Sequence, residues 1–394
     1  MKINKTWNQY AIKKENKFLV LETVRKQSPI SRADIANVTT LNKGTVSSLV
    51  SELINEKMIT ESGPGKSSGG RRPVILNFNN KSGYCIGIDL GVNYVLGLLT
   101  DLEGNIIIEK YIDYTYSTYN ETVKLLYTVI NYLIDSKPSS PYGIIGIGIG
   151  VPGAINHAGD ILFAPNLQWE NIQIKQLFEN HYQVPVIIEN EANAGAYGEK
   201  KYGIGQTQQN IIYVSIGIGI GVGMIFNGEL YKGNNGFSGE LGHMTIETNG
   251  KKCSCGNNGC WELYASEQSL ANDMKLLNIP PPSEGQQYLD YLLQLAENGN
   301  SESIKLFHQI GDYIGLGLNN IVNIFNPEQI IIGNRIAFAA KWVENSLMRR
   351  INNTFWFQKK DLTINFSKLS THSSALGMSA FSVDRFLESY QYFN

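Results

Sequence analysis

Residues Gly239–Leu263, GELGHMTIETNGKKCSCGNNGCWEL, decide how the chain is read. Three of its four cysteines, Cys253, Cys255 and Cys260, fall within eight residues, and His243 precedes them by ten. Thiolate and imidazole at this density form a metal-ligand pattern, and four N/S donors suit tetrahedral Zn2+. Gly256 and Gly259 let the backbone turn tightly enough to bring Cys255 and Cys260 onto one ion. With His243, Cys253, Cys255 and Cys260 filling four positions, no site stays open for catalysis, so the expected zinc is structural. The alternative is a set of buried structural thiols. Two carboxylates, Glu240 and Glu262, bracket the knot.

Outward from the knot, 394 residues with 42% hydrophobic side chains and 39 glycines imply a globular α/β chain of two or three domains. The N-terminal stretch MKINKTWNQYAIKKENK has no apolar core of a secretion signal. The longest uncharged apolar run, Ile211 to Phe226, is 16 residues long and carries glycine at 217, 219, 221 and 223. It is short for a membrane span and reads as strand and glycine turn, so no membrane partner is expected. Clustered cysteines without a disulfide framework point to the reducing cytoplasm.

Charge is divided unevenly. Residues 1–82 carry 14 Lys+Arg against 6 Asp+Glu, a net +8, and the remainder is −10. A basic module on an acidic body is the footprint of a nucleic-acid-binding head. Within the head, Asn16 to Gln27 reads as a helix with Phe18, Leu21, Val24 and either Leu19 or Val20 facing inward. Ser31, with Asp34 three positions on, caps a second helix bearing Ala33, Ile35, Ala36 and Val38. Asn42 caps a third, in which Val46, Leu49, Val50, Leu53 and Ile54 form an inward stripe. Helix, short turn, helix is a helix-turn-helix, whose second helix enters the major groove of DNA by its N-terminal end. Asn42, Lys43, Thr45, Ser47 and Ser48 are the candidate contacts there. The strands around GPGKSSGGRRP would form a wing whose Lys66, Arg71 and Arg72 lie against phosphates or the minor groove. A small helical docking domain with a basic face is the alternative.

From Tyr84 strands alternate with helices, which implies a parallel or mixed sheet covered on both faces. The stretch SIGIGIGVGMIFNGEL can be laid on DLGVNYVLGLLTDLEG with Gly217 under Gly91, a weak internal repeat that hints at two similar halves. ENEANAGAYGE is expected to open a helix whose first turn carries Glu189, Asn190, Glu191 and Asn193. Helices over Ser301–Phe325 and Ala339–Asn352, a strand over Gln329–Gly333 and a last helix over Ser374–Phe386 complete the pattern. Cys85 is expected in the core, His157 and His181 on the surface, and Trp169 in packing, with a place bordering the bound ligand as its alternative.

The body resembles the ROK family of repressors and sugar kinases, on IGIDLG at 86–91, GIGVPG at 148–153, ENEANAGAYGE at 189–199, the glycine run at 217–223, GELGH at 239–243, CSCGNNGCWE at 253–262 and FNPEQIIIG at 325–333. The resemblance implies a winged helix-turn-helix over 1–82 and a two-lobed, actin/hexokinase-like sugar-binding body over 83–394. The first lobe (83–200) would be rejoined by the C-terminal helix, and the second (201–372) would hold the zinc knot. By the same resemblance Gly153, Asn190, Glu191, Glu240, His243 and Glu262 hold a sugar. Kinases of the family keep small and hydroxyl residues beside the ATP phosphates, where this chain has Val92, Ile218 and Val222, and an Asp as base, where it has Glu191. The expectation is a repressor, not an enzyme, that binds a palindromic operator as a homodimer and is released by a monosaccharide, with xylose favoured. The alternatives are a sugar kinase with an appended head, or a repressor answering to glucose, N-acetylglucosamine or a protein partner.

Overall fold

The computed structural model describes residues 5–64, 73–114, 117–277, 279–283, 286–352 and 361–390. The chain opens on α1 (Lys5–Gln27), β1 (Ile30–Ser31), α2 (Arg32–Thr39), α3 (Lys43–Asn55) and a hairpin of β2 (Ile59–Pro64) with β3 (Val74–Phe78). Local chemistry sets these boundaries. Ser31 Oγ accepts from the Asp34 amide at 3.2 Å and starts α2, and Thr40 ends it in the left-handed region at φ 59°. Asn42 Oδ1 then accepts from the Thr45 amide at 2.8 Å and starts α3. Three helices and a three-stranded sheet of order β1-β3-β2 make a winged helix-turn-helix.

Val46, Leu49, Val50 and Leu53 are buried, with Ile54 packed beside them. In α1 the inward residue is Val20; Leu19 is exposed, because it falls on the far side of the turn from Leu21 and Val24. Ala33 and Val38 of α2 are also exposed, since only Ile35, Ala36 and Thr39 face the other helices of this short element. Helix α1 begins eleven residues before the expected Asn16.

The body holds two five-stranded sheets with the same plan. The first uses β4 (Tyr84–Leu90), β5 (Tyr94–Thr100), β6 (Ile106–Asp113), β7 (Ile144–Val151) and β11 (Val186–Asn190), in the order β11-β7-β4-β5-β6. Between these strands come α4 (Tyr119–Ser136), a small sheet of β8 (Ala154–Ile155), β9 (Ile161–Ala164) and β10 (Trp169–Ile172), and α5 (Ile174–Tyr182). After α6 (Glu191–Lys201) the second sheet takes β12 (Ile211–Ile216), β13 (Ile220–Phe226), β14 (Glu229–Leu230), β15 (Gln329–Gly333) and β16 (Thr363–Phe366), in the order β14-β13-β12-β15-β16. In each sheet an antiparallel hairpin leads and parallel strands follow, so the hairpin turning at Gly91 corresponds to the one turning at Gly217. The second sheet is covered by α7 (Glu262–Ala265), α8 (Glu267–Leu276), α9 (Tyr288–Glu297), α10 (Ser301–Phe325) and α11 (Ala340–Asn352).

Helices α6 and α12 (Ser373–Glu388) lie back to back between the sheets. Their approach is close because glycine meets backbone: a Cβ on Gly377 would sit 1.7 Å from Ala194 O. The far end of α12 gives Val383 and Leu387 to the cluster that also contains Val20, Leu21, Leu49 and Leu53 of the head, so head and body share one continuous core. Cys85 is buried in that cluster, Trp169 packs in the first lobe, and His157 and His181 are exposed. Among the described residues no helix is long and apolar enough to cross a membrane.

Candidate functional site

A cavity of about 500 Å3 opens between the sheets, lined from one side by the Gly91–Asn93 turn and from the other by the Gly217–Gly219 turn. Gly153, Asn190, Glu191, Glu240, His243 and Glu262 all line it. The junction of β11 and α6 places the first of these. Asn190 is the N-cap of α6, not a residue of its first turn, and Glu189 is the penultimate residue of β11. The strand runs on because both residues pair with β7. Asn190 Oδ1 accepts from the amides of Ala192 (2.8 Å) and Asn193 (3.1 Å), while its Nδ2 donates to Gly153 O at 2.9 Å. One side chain thus fixes both the helix start and the Gly153 loop.

Glu191 follows, with Oε2 buried and without a hydrogen-bond partner. Burial, then the like charge of Asp89, pushes its pKa up to about 8. Asp89, at the end of β4, is itself raised to about 6 by burial, although Tyr94 and Ser374 both donate to it, at 2.6 and 2.9 Å. Glu240 is open to the cleft, and the protein around it raises its pKa, with His243 opposing. With Asp89 buried behind the wall, Glu191 and Glu240 are two lining carboxyls that hold protons more tightly than usual, which gives the site both hydrogen-bond donors and acceptors.

The knot closes the wall. His243, Cys253, Cys255 and Cys260 present ligand atoms that all lie within 4.8 Å of one another. Cys255 Sγ is 3.6 Å from Cys260 Sγ, and Cys253 Sγ is 3.6 Å from His243 Nδ1. Tetrahedral bonds of about 2.3 Å to sulfur and about 2.0 Å to nitrogen separate ligand atoms by about 3.5–3.8 Å, so these residues fit a metal of that geometry. Gly259, at φ +71°, permits the turn, since a Cβ there would sit 1.7 Å from Glu247 O. Trp261, fully buried, donates from Nε1 to Tyr313 O at 2.8 Å and pins the knot to α10. Glu262 Oε1 lies 3.3 Å from both His243 Nδ1 and Cys253 Sγ, so this carboxylate borders the thiol–imidazole group and the cavity together.

The turn residues Val92 and Ile218 face the cavity half-buried. Val222 also lines the cavity, but it alternates with Gly221 and Gly223, which abut α6, and its side chain packs in the core around the second sheet. Of the three residues expected to add bulk, Val92 and Ile218 stand at the turns and Val222 borders the cavity from within β13. Phe163 and Phe237, both exposed, line the cavity and were not picked out from sequence. Neither sits in a glycine or cysteine motif. Asp89 does sit in the IGIDLG stretch, where its position at a strand end was the available signal.

In the head, Asn42, Lys43, Ser47 and Ser48 are exposed and Thr45 half-buried on the first two turns of α3. Lys66, Arg71 and Arg72 lie outside the described residues.

Compared with protein-family models, residues 85–385 match the one described as the ROK family. The chain belongs to the ROK family. It is 46% identical over 382 residues to a protein of Bacillus subtilis (strain 168) named xylose repressor, covering 97% of this chain and 98% of that one. Among solved structures, a ROK family transcriptional regulator described as a homolog of the Escherichia coli MLC protein superposes with a TM-score of 0.79 at 26% identity, over 97% of this chain and 98% of that one. A ROK family glucokinase from Streptomyces griseus, in complex with glucose and AMPPNP, superposes with a TM-score of 0.68 at 25% identity and covers 76% of this chain and 99% of its own. The ROK regulator thus spans head and body.

Proposed function

We propose that the protein is a transcriptional repressor that leaves its operator when D-xylose fills the cleft. The observation that carries this reading is the coexistence, in one chain, of an exposed polar α3 N-terminus and a carboxylate-lined cavity joined to it through the core at the end of α12. Residues 1–82 act as the DNA-binding unit and 83–394 as the sugar-binding body. Its lobes are 83–200, rejoined by α12, and 201–372. Full-length likeness to a xylose repressor supports the choice of sugar.

Pyranose hydroxyls both donate and accept. Asn190, Glu191, Glu240, His243 and Glu262 meet them with mixed acceptors and donors, and a charged carboxylate makes the stronger bonds. Gly153 brings backbone beside the ring, and Phe163 and Phe237 supply apolar surface at the mouth. The metal held by His243, Cys253, Cys255 and Cys260 is Zn2+, closed to substrate and structural. His243 offers Nδ1 to it and keeps its other nitrogen for the sugar. Asn42, Lys43, Thr45, Ser47 and Ser48 of α3 contact operator, with Lys66, Arg71 and Arg72 of the wing. A homodimer on a palindrome doubles that contact. The protein works in the cytoplasm. Release requires that sugar bind the non-DNA-binding arrangement more tightly than the other.

Operator binding followed by fluorescence anisotropy, with D-xylose, D-glucose and N-acetylglucosamine at millimolar concentration, tests the reading. D-xylose is expected to release the DNA, and Glu240→Ala is expected to bind operator but ignore the sugar. Phosphate transfer from ATP to any of these sugars at an enzymatic rate would overturn it in favour of a kinase, against the β-branched Val92 and Ile218 at the hairpin turns.

A further inference from the structure

Glu189 is buried, one residue ahead of the Asn190–Glu191 pair, and it is not in the cavity wall. Its Oε1 accepts from the Asn190 amide at 3.0 Å and from Asn193 Nδ2 at 3.1 Å, so it holds the β11–α6 junction from behind. Its other oxygen accepts from Lys232 Nζ, which comes from the opposite lobe, just after β14. The segment that begins there leans on the first lobe at two further points. Asn234 O lies 3.1 Å from His157 Nε2, and Gly236 packs so closely that a Cβ would sit 2.3 Å from Ile155 O. The same segment then delivers Glu240 and His243 to the cavity.

We propose that Lys232 is a positioning residue for the sugar, binding the segment that carries Glu240 and His243 to the junction that carries Asn190 and Glu191. The two halves of the polar cluster are on different lobes, and the Lys232–Glu189 pair joins them behind the wall. A buried carboxylate tolerates its site only with a counter-charge, and removing one partner of such a pair forces the other to move or to neutralise. Movement of Glu189 loosens the junction that carries Asn190 and Glu191, because the Asn190 amide and the Asn193 side chain in the first turn of α6 both donate to it. Hydroxyl recognition depends on side chains held to within about 0.5 Å, so the loss appears as sugar affinity.

This inference rests on the sugar-binding reading, and one titration separates the two. D-xylose binding is measured calorimetrically on the full-length zinc-loaded protein and on Lys232→Met, Lys232→Arg and Lys232→Met/Glu189→Gln, with melting temperature recorded for each. Lys232→Met is expected to weaken D-xylose about ten-fold or more, and Lys232→Arg by less than about three-fold. The double variant, with no buried charge left to compensate, is expected to return to within about three-fold of the parent. A merely structural lysine would lower the melting temperature in both methionine variants without this recovery. Lys232→Met binding within two-fold of the parent, or a double variant no tighter than the single, overturns the proposal. Where Lys232→Met alone does not fold, a double variant that folds but binds more than ten-fold weaker than the parent overturns it. A parent that binds no D-xylose removes this inference and the sugar reading together.

Discussion

Replacing Glu191 by glutamine tests the electrostatics of the cleft most directly. The native carboxyl releases its proton near pH 8, against 4.5 for an unperturbed glutamate, because burial and then Asp89 oppose the charge. Between those values the folded chain holds a proton that the unfolded chain has lost, so stability falls as pH rises. At about 1.4 kcal/mol per pH unit, the interval corresponds to roughly 4–5 kcal/mol, an upper figure for a side chain that is not wholly shielded from solvent. Glutamine keeps the shape and one acceptor but does not titrate. Asp89, raised to about 6, titrates in both proteins and so largely cancels in the difference. The assay is urea unfolding at pH 5, 6.5 and 8 in a buffer of fixed free zinc. Glu191→Gln should match the parent near pH 5 and exceed it by several kcal/mol at pH 8. Parallel stability curves across that range would refute the assignment of a buried, proton-holding Glu191.

Cys260→Ser should drop the metal content from one ion per chain to near zero by elemental analysis. It should also abolish sugar-induced stabilisation, because Glu262 and His243 lose their anchor. Lys43→Ala should weaken operator binding and flatten the slope of log K against log salt by about one, as expected for one lost phosphate contact. Gly377→Ala should lower stability by about 3 kcal/mol or more, since the added carbon would stand 1.7 Å from Ala194 O where α6 and α12 meet. A loss under 1 kcal/mol in chemical unfolding would show that the helices separate more easily than their packing implies.

Much of the architecture was legible because local chemistry carried it. Asn42 and Ser31 cap helices in the structure as their residue types demand, and α10 and β15 begin and end where the 3.6-residue and continuous apolar patterns do. The correspondence of Gly91 with Gly217 emerged as two sheets of one plan. The convergence of His243 with three cysteines followed from spacing, since the turn needs only Gly256 and Gly259 to close. What escaped was decided by distant partners. Glu189 reads as a helical residue until strand pairing with β7 claims it. That Val222 serves the core as well as the cavity is set by α6, which lies against Gly221 and Gly223 and leaves the other face of β13 to the valine. Leu19 and Val20 are equivalent as an apolar pair, and only the packing of α1 chooses between them. Lys232 gave no signal, because its partner is brought to it by the closure of one lobe on the other.

Helix α12 has a consequence for how the chain is made. Ser374 bonds Asp89 across 285 residues of sequence, and Met378 and Val383 cover strands and head elements that leave the ribosome far earlier. At about 5–20 residues per second, those surfaces wait on the order of 15–60 s for their cover. During that interval the glycine-lined faces at Gly87 and Gly148 and the apolar floor of the head are open together. Until α12 is made, those surfaces are exposed apolar area of the kind that invites association. The core of the N-terminal helices is therefore complete only once Val383 and Leu387, near the end of α12, are in place.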